Sequence, residues 1–129
     1  MPLKRVLCPQ RMRKIPAQFS WVDHRLVRDR HIARCDAQAL ALYLFLVTVA
    51  DALGLSYYSD AALGRTLSME PRRLSQARSD LIGAGLIAYQ RPLYQVLALD
   101  APALEVRELG AAELGARINR LRAVLGRAS

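Results

Sequence analysis

The stretch SMEPRRLSQARSDLIGAGLIAY, residues 68–89, decides the fold. Pro71 suits the first position of a helix, where its missing N–H has no intrahelical partner, and the apolar residues behind it recur at helical spacing. This pattern predicts a helix that begins at Pro71 and ends near Gly83 or Ala84. We expect its buried side to consist of Leu74, Ala77, Leu81 and Ile82.

The same helical period turns a polar set of side chains away from the core. These are Arg72, Arg73, Gln76, Ser79 and Asp80, with Arg78 toward the flank. Arginine can pair with guanine, glutamine with adenine, and serine with phosphate. A basic first turn also suits an anion, because the helix dipole adds positive potential there. The pattern therefore predicts either a face that binds nucleic acid or an ordinary solvated surface.

Two further helices are predicted before this one. Residues 36–54, DAQALALYLFLVTVADALG, are typical of a central, largely buried helix that is capped by Asp36 and stopped at Gly54. Its predicted stripe is Leu40, Tyr43, Leu44, Val47 and Ala50. A shorter helix follows over residues 59–67, with Ser59 as its cap. Its inward residues are expected to be Ala62, Leu63 and Leu67.

After Gly85 the apolar pattern changes from a helical to an alternating period. LIAYQ and YQVLAL predict two short strands, joined tightly by Arg91-Pro92-Leu93. Tyr89 and Tyr94 are expected to pair across these strands and to stiffen the hairpin. The order of elements predicts a mainly α fold with a small β-hairpin, arranged as a winged helix.

Several positions carry a family resemblance. A serine precedes a short helix with leucines, a turn follows, and the next helix closes in Leu-x-x-x-Gly-Leu-Ile before the hairpin. In this chain the positions are Ser59, Leu63, Leu67, Leu81, Gly85, Leu86 and Ile87. Residues 43–99 thus resemble the winged helix-turn-helix domains of bacterial transcription regulators and of plasmid, phage and mobile-element replication proteins.

The resemblance implies that the third helix recognises double-stranded DNA and that the hairpin touches the backbone or the minor groove. Carried onto this sequence, it points to Arg72, Arg73, Gln76 and Ser79 on the helix and to Gln90 and Arg91 in the hairpin. The hairpin carries a single arginine, fewer basic residues than regulators that depend on the wing, so we expect its contact with DNA to be slight.

The net charge of +8 is concentrated near the N-terminus. Residues 1–34 hold nine basic and two acidic side chains, whereas residues 35–99 hold five of each. The first basic cluster is Lys4, Arg5, Arg11, Arg13 and Lys14. This arm either follows a groove of nucleic acid or is a solvated tail. Its apolar residues are expected to dock it onto the central helix: Phe19, Trp21, Val22, Leu26 and Ile32.

A last helix is predicted from Ala103, which divides the chain into an arm (1–34), a central domain (35–99) and a C-terminal helix (100–129). A leucine-rich stripe marks one side of that helix: Leu114, Ile118, Leu121 and Leu125. The stripe either forms the seam of a homodimer or covers the central helix around Leu42, Phe45 and Leu46.

Other classes of function receive little support from the residues. The sequence shows no phosphate-binding glycine loop, nucleophile elbow or paired-carboxylate motif, so we expect no enzyme and no cofactor. Asp23, His24, Asp29 and His31 are a weak metal-site candidate, and Cys8 and Cys35 lack zinc spacing. No apolar run predicts a membrane span, and a cytoplasmic location is expected. The sequence favours a DNA-binding regulator or replication and transposition factor over a protein-docking module or an RNA-binding subunit.

Overall fold

The computed structural model describes residues 3–100, which form a helix-rich fold with a small antiparallel sheet. Its helices are α1 (Arg25–Arg28), α2 (Ala37–Val49), α3 (Asp60–Leu67) and α4 (Pro71–Gly83), with 3₁₀ turns at Pro9–Arg11 and Ile32–Arg34. Its strands are β1 (Leu55–Tyr57), β2 (Ile87–Gln90) and β3 (Leu93–Val96). None of the helices in residues 3–100 is both long and apolar enough to cross a membrane. The predicted C-terminal helix and its dimer seam lie outside these residues.

Helix α2 begins as predicted, because the Asp36 carboxylate accepts a hydrogen bond from the backbone N–H of Ala39 at 2.8 Å. It ends at Val49, however, several residues before the predicted stop at Gly54. Gly54 instead has a φ of +83° in the turn that leads into β1. A Cβ at this position would lie 2.7 Å from the carbonyl oxygen of Val96, so glycine permits the close approach of β3.

The predicted buried stripe of α2 is only partly confirmed, since Tyr43 is buried and Val47 packs against the core but Leu44 does not. The buried residues are Ala39, Leu42, Tyr43 and Leu46, while Leu44 is 60% exposed. Leu42 and Leu46 therefore belong to the core and not to an uncovered side that the C-terminal helix could complete. The helix is apolar on every side, so the sequence period carried no information about which face packs against α4.

Helices α3 and α4 follow their local signals. The Ser59 hydroxyl accepts a hydrogen bond from the N–H of Ala62 at 3.1 Å, which confirms Ser59 as the cap of α3. Pro71 opens α4, and the helix ends at Gly83 as expected. Leu74, Ala77 and Leu81 are buried, but Ile82 is 45% exposed. The prediction for Ile82 was wrong because it lies one position past Leu81, about 100° around the helix from the buried side.

The sheet contains one strand that the sequence did not reveal. Its order is β1-β3-β2, with both pairs antiparallel. The predicted hairpin is confirmed, although its connection is only Arg91-Pro92 and Leu93 already lies in β3. Strand β1 is three residues long, and its partner comes from a distant part of the sequence. A local pattern of this length does not distinguish a strand from a loop.

The docking of the arm is only partly as predicted. Leu26 is buried in the core, and Ile32 packs against it. Phe19, Trp21 and Val22 instead remain 65%, 76% and 46% exposed. Their apolar character did not lead to burial within residues 3–100, and Phe19 and Trp21 lie instead beside an open groove at the end of α2.

Candidate nucleic-acid interface

Helix α4 divides cleanly into a buried and an exposed side. Leu74 and Leu81 are fully buried against the neighbouring helices, and Ala77 is nearly so. The predicted site residues of this helix all lie on the exposed side: Arg72, Arg73, Gln76 and Ser79. A continuous polar surface along a helix that is fixed by a buried apolar side is the local geometry that a recognition helix requires.

The two arginines of the first turn of α4 are free to bind an anion. Within residues 3–100, no carboxylate lies within 4.0 Å of the guanidinium group of Arg72 or Arg73. Both side chains are exposed beside the N-terminal end of the helix, where unpaired backbone N–H groups add positive potential. Their charge is therefore directed to solvent or to a ligand.

Further along the helix, the side chain of Gln76 is partly engaged. Its amide nitrogen donates a hydrogen bond to a carboxylate oxygen of Asp80 at 2.9 Å, one turn later. The carbonyl oxygen of the amide has no such partner in the described residues, and the contact is exposed, so it can rearrange. Asp80 is half-buried, so it is less exposed than the other predicted outward residues of α4, although its carboxylate reaches the exposed amide of Gln76.

The hairpin carries the two other residues of the central domain that were predicted to contact DNA, Gln90 and Arg91. Gln90 pairs with Leu93 at the last position of the β2–β3 ladder, and Arg91 follows in the connection. Both side chains are exposed. No other basic residue lies between Ile87 and Val96, so the positive charge of the hairpin is limited to one side chain.

Arg78 holds the hairpin against α4, a role that the sequence interpretation missed. Its Nε donates a hydrogen bond to the hydroxyl of Tyr94 at 3.0 Å, and its Nη2 lies 2.6 Å from a carboxylate oxygen of Asp60 at the start of α3. The Arg78 side chain is only 11% exposed, whereas the helical period predicts a place on the flank of a polar surface. The feature of the sequence that could have indicated this role is the pair Tyr89 and Tyr94, because two tyrosines offer aromatic faces and a hydroxyl group to a guanidinium group.

Tyr89 and Tyr94 stand opposite each other in the β2–β3 register, which confirms the predicted cross-strand pair. Their ring centroids are 4.5 Å apart. Tyr94 is fully buried, and burial raises its pKa to about 12, although the positive charge of Arg78 and its hydrogen bond oppose this rise. Tyr94 therefore remains neutral in the core at all ordinary pH values.

The basic residues of the arm are exposed, but no described contact brings them to α4. The arm is anchored where the hydroxyl of Ser20 donates to the carbonyl oxygen of Thr48 at 3.0 Å, near the end of α2. This anchor lies near Gly54 and Val96, at the end of the sheet opposite the hairpin connection. The predicted contact residues of the arm precede it: Arg11, Arg13 and Lys14.

Asp23, Asp29 and His31 of the arm contact arginines. Asp23 and Arg25 form a salt bridge of 2.7 Å, and hydrogen bonds from Arg25 lower the pKa of Asp23 to about 2. His31 is buried and contacts Arg34, and burial lowers its pKa. Within residues 3–100, no three His, Cys, Asp or Glu side chains are grouped to hold a metal ion.

Comparisons with known proteins identify no relative of this chain: no protein-family model matches it, and no significant match was found among curated proteins or among solved structures.

Proposed function

We propose that the chain is a winged helix-turn-helix protein that binds double-stranded DNA in a sequence-specific manner, with α4 in the major groove. The observation that carries this proposal is the exposed face of α4, whose first-turn arginines have no carboxylate partner within residues 3–100. The hairpin would lie against the backbone or the minor groove. In the cell, such a protein would regulate transcription or assist replication or transposition of a mobile element, as the family resemblance implies.

The arrangement of α3 and α4 supports the proposal. The two helices pack against each other and are joined by residues 68–70, a turn of the length that is usual in helix-turn-helix motifs. Ser68 adopts a left-handed conformation at the end of α3, with a φ of 53°, which reverses the chain before Pro71. The 13 residues of α4 correspond to a helix about 20 Å long, and the major groove of about 12 Å width admits a helix.

The chemistry of the exposed face also fits DNA. Arg72 or Arg73 could pair with the O6 and N7 atoms of guanine, and Gln76 with adenine after releasing Asp80. The Ser79 hydroxyl suits a phosphate oxygen. This combination of base-reading and phosphate-binding groups supports specific recognition of a duplex more directly than a uniformly basic surface would.

The arm would supply affinity without sequence preference. Lys14 precedes the anchored residue Ser20 by six positions, so an extended arm reaches about 20 Å from the anchor. The anchor joins the arm to α2 and not to α4, so we place the arm on phosphates outside the contact region of α4. The proposed role of Arg11, Arg13 and Lys14 is therefore electrostatic.

The proposal is tested by measuring binding of the full chain to random duplex DNA, single-stranded DNA and RNA over a range of salt concentrations, followed by selection of preferred duplex sites. We expect duplex DNA to be preferred and a consensus to emerge. The double variant Arg72→Ala/Arg73→Ala should lose the consensus, whereas Arg28→Ala, which removes the same kind of charge from an exposed position on α1, should keep it. An equal preference for RNA, or a consensus that survives in the α4 variant, would contradict the proposal.

A further inference from the structure

A groove of about 480 Å³ lies on the domain away from the hairpin connection. It is bounded by residues 19–23 of the arm, the end of α2 with the following turn, and the segment that leaves β3. Its inner wall includes the buried residues Tyr43 and Leu99. No residue of α4 lines the groove, so the groove is separate from the exposed face of that helix.

Three large apolar side chains at the groove are mostly exposed. Phe19 is 65% exposed, Trp21 76% and Leu53 74%. Single exposed apolar residues are common on protein surfaces, but three around one groove form a contiguous patch of the kind that binds another apolar surface. This patch has no covering residue within the described part of the chain.

The two carboxylates and the serine hydroxyl of the groove are already hydrogen-bonded, whereas Tyr43 and Gln95 also contribute polar groups to its lining. The Asp51 carboxylate accepts from the backbone N–H groups of Leu53 and Leu55, both at 2.9 Å. Asp23 is paired with Arg25, and Ser20 donates to Thr48. The charged groups of the groove are thus already paired, and apolar contact is the main attraction that it offers to an occupant.

The chain itself leaves the domain at this groove. Leu99 lines it, and the Asp100 carboxylate is held by Arg25 through a salt bridge of 2.8 Å. Residues 101–129 follow directly, and they include four apolar residues at spacings of four, three and four. These residues are Leu114, Ile118, Leu121 and Leu125. In a helix, that spacing places all four on one side.

The connection is long enough for this stripe to return to the groove. Leu114 follows Asp100 by 14 positions, so the intervening chain spans up to about 46 Å when extended. A domain of about 100 residues has a radius of gyration of only about 13 Å. A tethered segment of this kind experiences an effective concentration in the millimolar range, far above that of a second protein copy at micromolar concentration.

We propose that the C-terminal segment of the same chain docks in this groove, with Leu114, Ile118, Leu121 and Leu125 against Phe19, Trp21 and Leu53. The stripe then completes the surface of the domain at the end of α2, and not at Leu42 and Leu46, which α4 already covers. The arm is held between α2 and the docked segment. Docking within one chain also removes the stripe from use as a dimer seam.

Trp21 is the single tryptophan of the chain, so its fluorescence reports directly on the groove. In the full-length protein we expect blue-shifted emission and protection from acrylamide quenching, both unchanged across a wide range of protein concentration. Leu121→Glu should shift the emission to longer wavelength and increase quenching. The matched control is Ala123→Glu, which adds the same charge on the opposite side of a helix and should leave both properties as in the wild type.

A second variant tests the groove from its other side. Leu53→Glu should expose Trp21 to the same extent as Leu121→Glu, and the high exposure of Leu53 keeps this change out of the core. Val27→Glu, at a position 63% exposed on α1 and outside the groove, is its control. Circular dichroism of each variant checks that the domain remains folded.

Three results would overturn the proposal. The first is a wild-type Trp21 that is quenched as strongly as in Leu121→Glu. The second is protection that appears only at concentrations where sedimentation shows a dimer, since a second copy would then fill the groove. The third is a loss of protection in the control Ala123→Glu equal to that in Leu121→Glu.

Discussion

The guanidinium carbon of Arg78 lies over the aromatic ring of Tyr89, 4.4 Å from the ring centroid. The same side chain donates to the hydroxyl of Tyr94 and contacts Asp60. One residue of α4 is thereby joined to both strands of the hairpin and to the first turn of α3. This contact links the hairpin to α4, although Arg78 itself is largely buried and is not available to a ligand.

Replacing Arg78 should destabilise the domain. Arg78→Ala leaves the buried Tyr94 hydroxyl without its partner, and we expect a loss of about 2–3 kcal/mol in the free energy of unfolding. Arg78→Lys should lose less stability than Arg78→Ala, because lysine keeps the positive charge. It should still be less stable than the wild type, because an ammonium group cannot stack on the tyrosine rings and bind two partners in the way a planar guanidinium group does. Urea unfolding measures both values. Arg65→Ala, an exposed arginine on α3, should change stability by no more than about 0.5 kcal/mol, and an equal loss in this control would contradict our account of Arg78.

Alkaline pH should weaken the fold through Tyr94. Its pKa is raised from 10.0 to about 12 in the folded state, so the folded protein holds the phenolic proton more tightly than the unfolded chain does. The contribution of neutral Tyr94 to the free energy of unfolding is about 1–3 kcal/mol. It is fully present below pH 10 and is lost as the pH rises toward 12. Urea midpoints measured from neutral to alkaline pH give this curve. Tyr94→Phe should show a smaller alkaline loss, the remainder coming from Tyr43 and Cys35, whose pKa values are also raised by burial.

Single replacements on α4 should separate base reading from phosphate binding. Arg72→Ala and Arg73→Ala are each expected to weaken binding to the selected DNA site by about 1–3 kcal/mol if the deleted arginine reads a base, with relaxed preference at one base position. Fluorescence anisotropy with the site and its single-base variants measures both effects. A uniform reduction across all duplexes would assign the residue to phosphate instead.

The arm should govern the salt dependence of binding. Replacing Arg11, Arg13 and Lys14 together by glutamine should lower affinity for every duplex and reduce the salt slope by up to about 0.9 for each phosphate that is no longer neutralised. The selected consensus should stay the same, because the arm reads no bases. An unchanged slope would show that the arm is a solvated tail.

The parts of the fold that sequence predicted correctly are those set by neighbours in the chain. Ser59 caps α3, Pro71 opens α4, and Tyr89 pairs with Tyr94. Each depends on hydrogen bonds or register within a few residues or across a short turn, so the local pattern contains the necessary information. The same holds for the exposed positions of the candidate site, since the buried side of α4 is a clear apolar stripe.

The errors lie where distant segments compete for the same surface. Helix α2 is apolar on every side, so only packing against α4 decided that Leu42 is buried while Leu44 is exposed. Phe19 and Trp21 were expected to dock, yet within residues 3–100 they remain exposed and outside the core cluster. Hydrophobicity predicts that a residue favours burial, but not which of several apolar residues will find space.

The sequence alone therefore determined the order of α2, α3 and α4, the hairpin and the polar face of α4, because these follow from caps, turns and periodicity. Only the tertiary structure decided the pairing of β1 with β3, the buried face of α2 and the engagement of Arg78 by Tyr89, Tyr94 and Asp60. Asp60 lies 18 positions before Arg78 and Tyr94 lies 16 after it. Contacts over such separations form only when the chain has folded, since no local pattern brings the partners together.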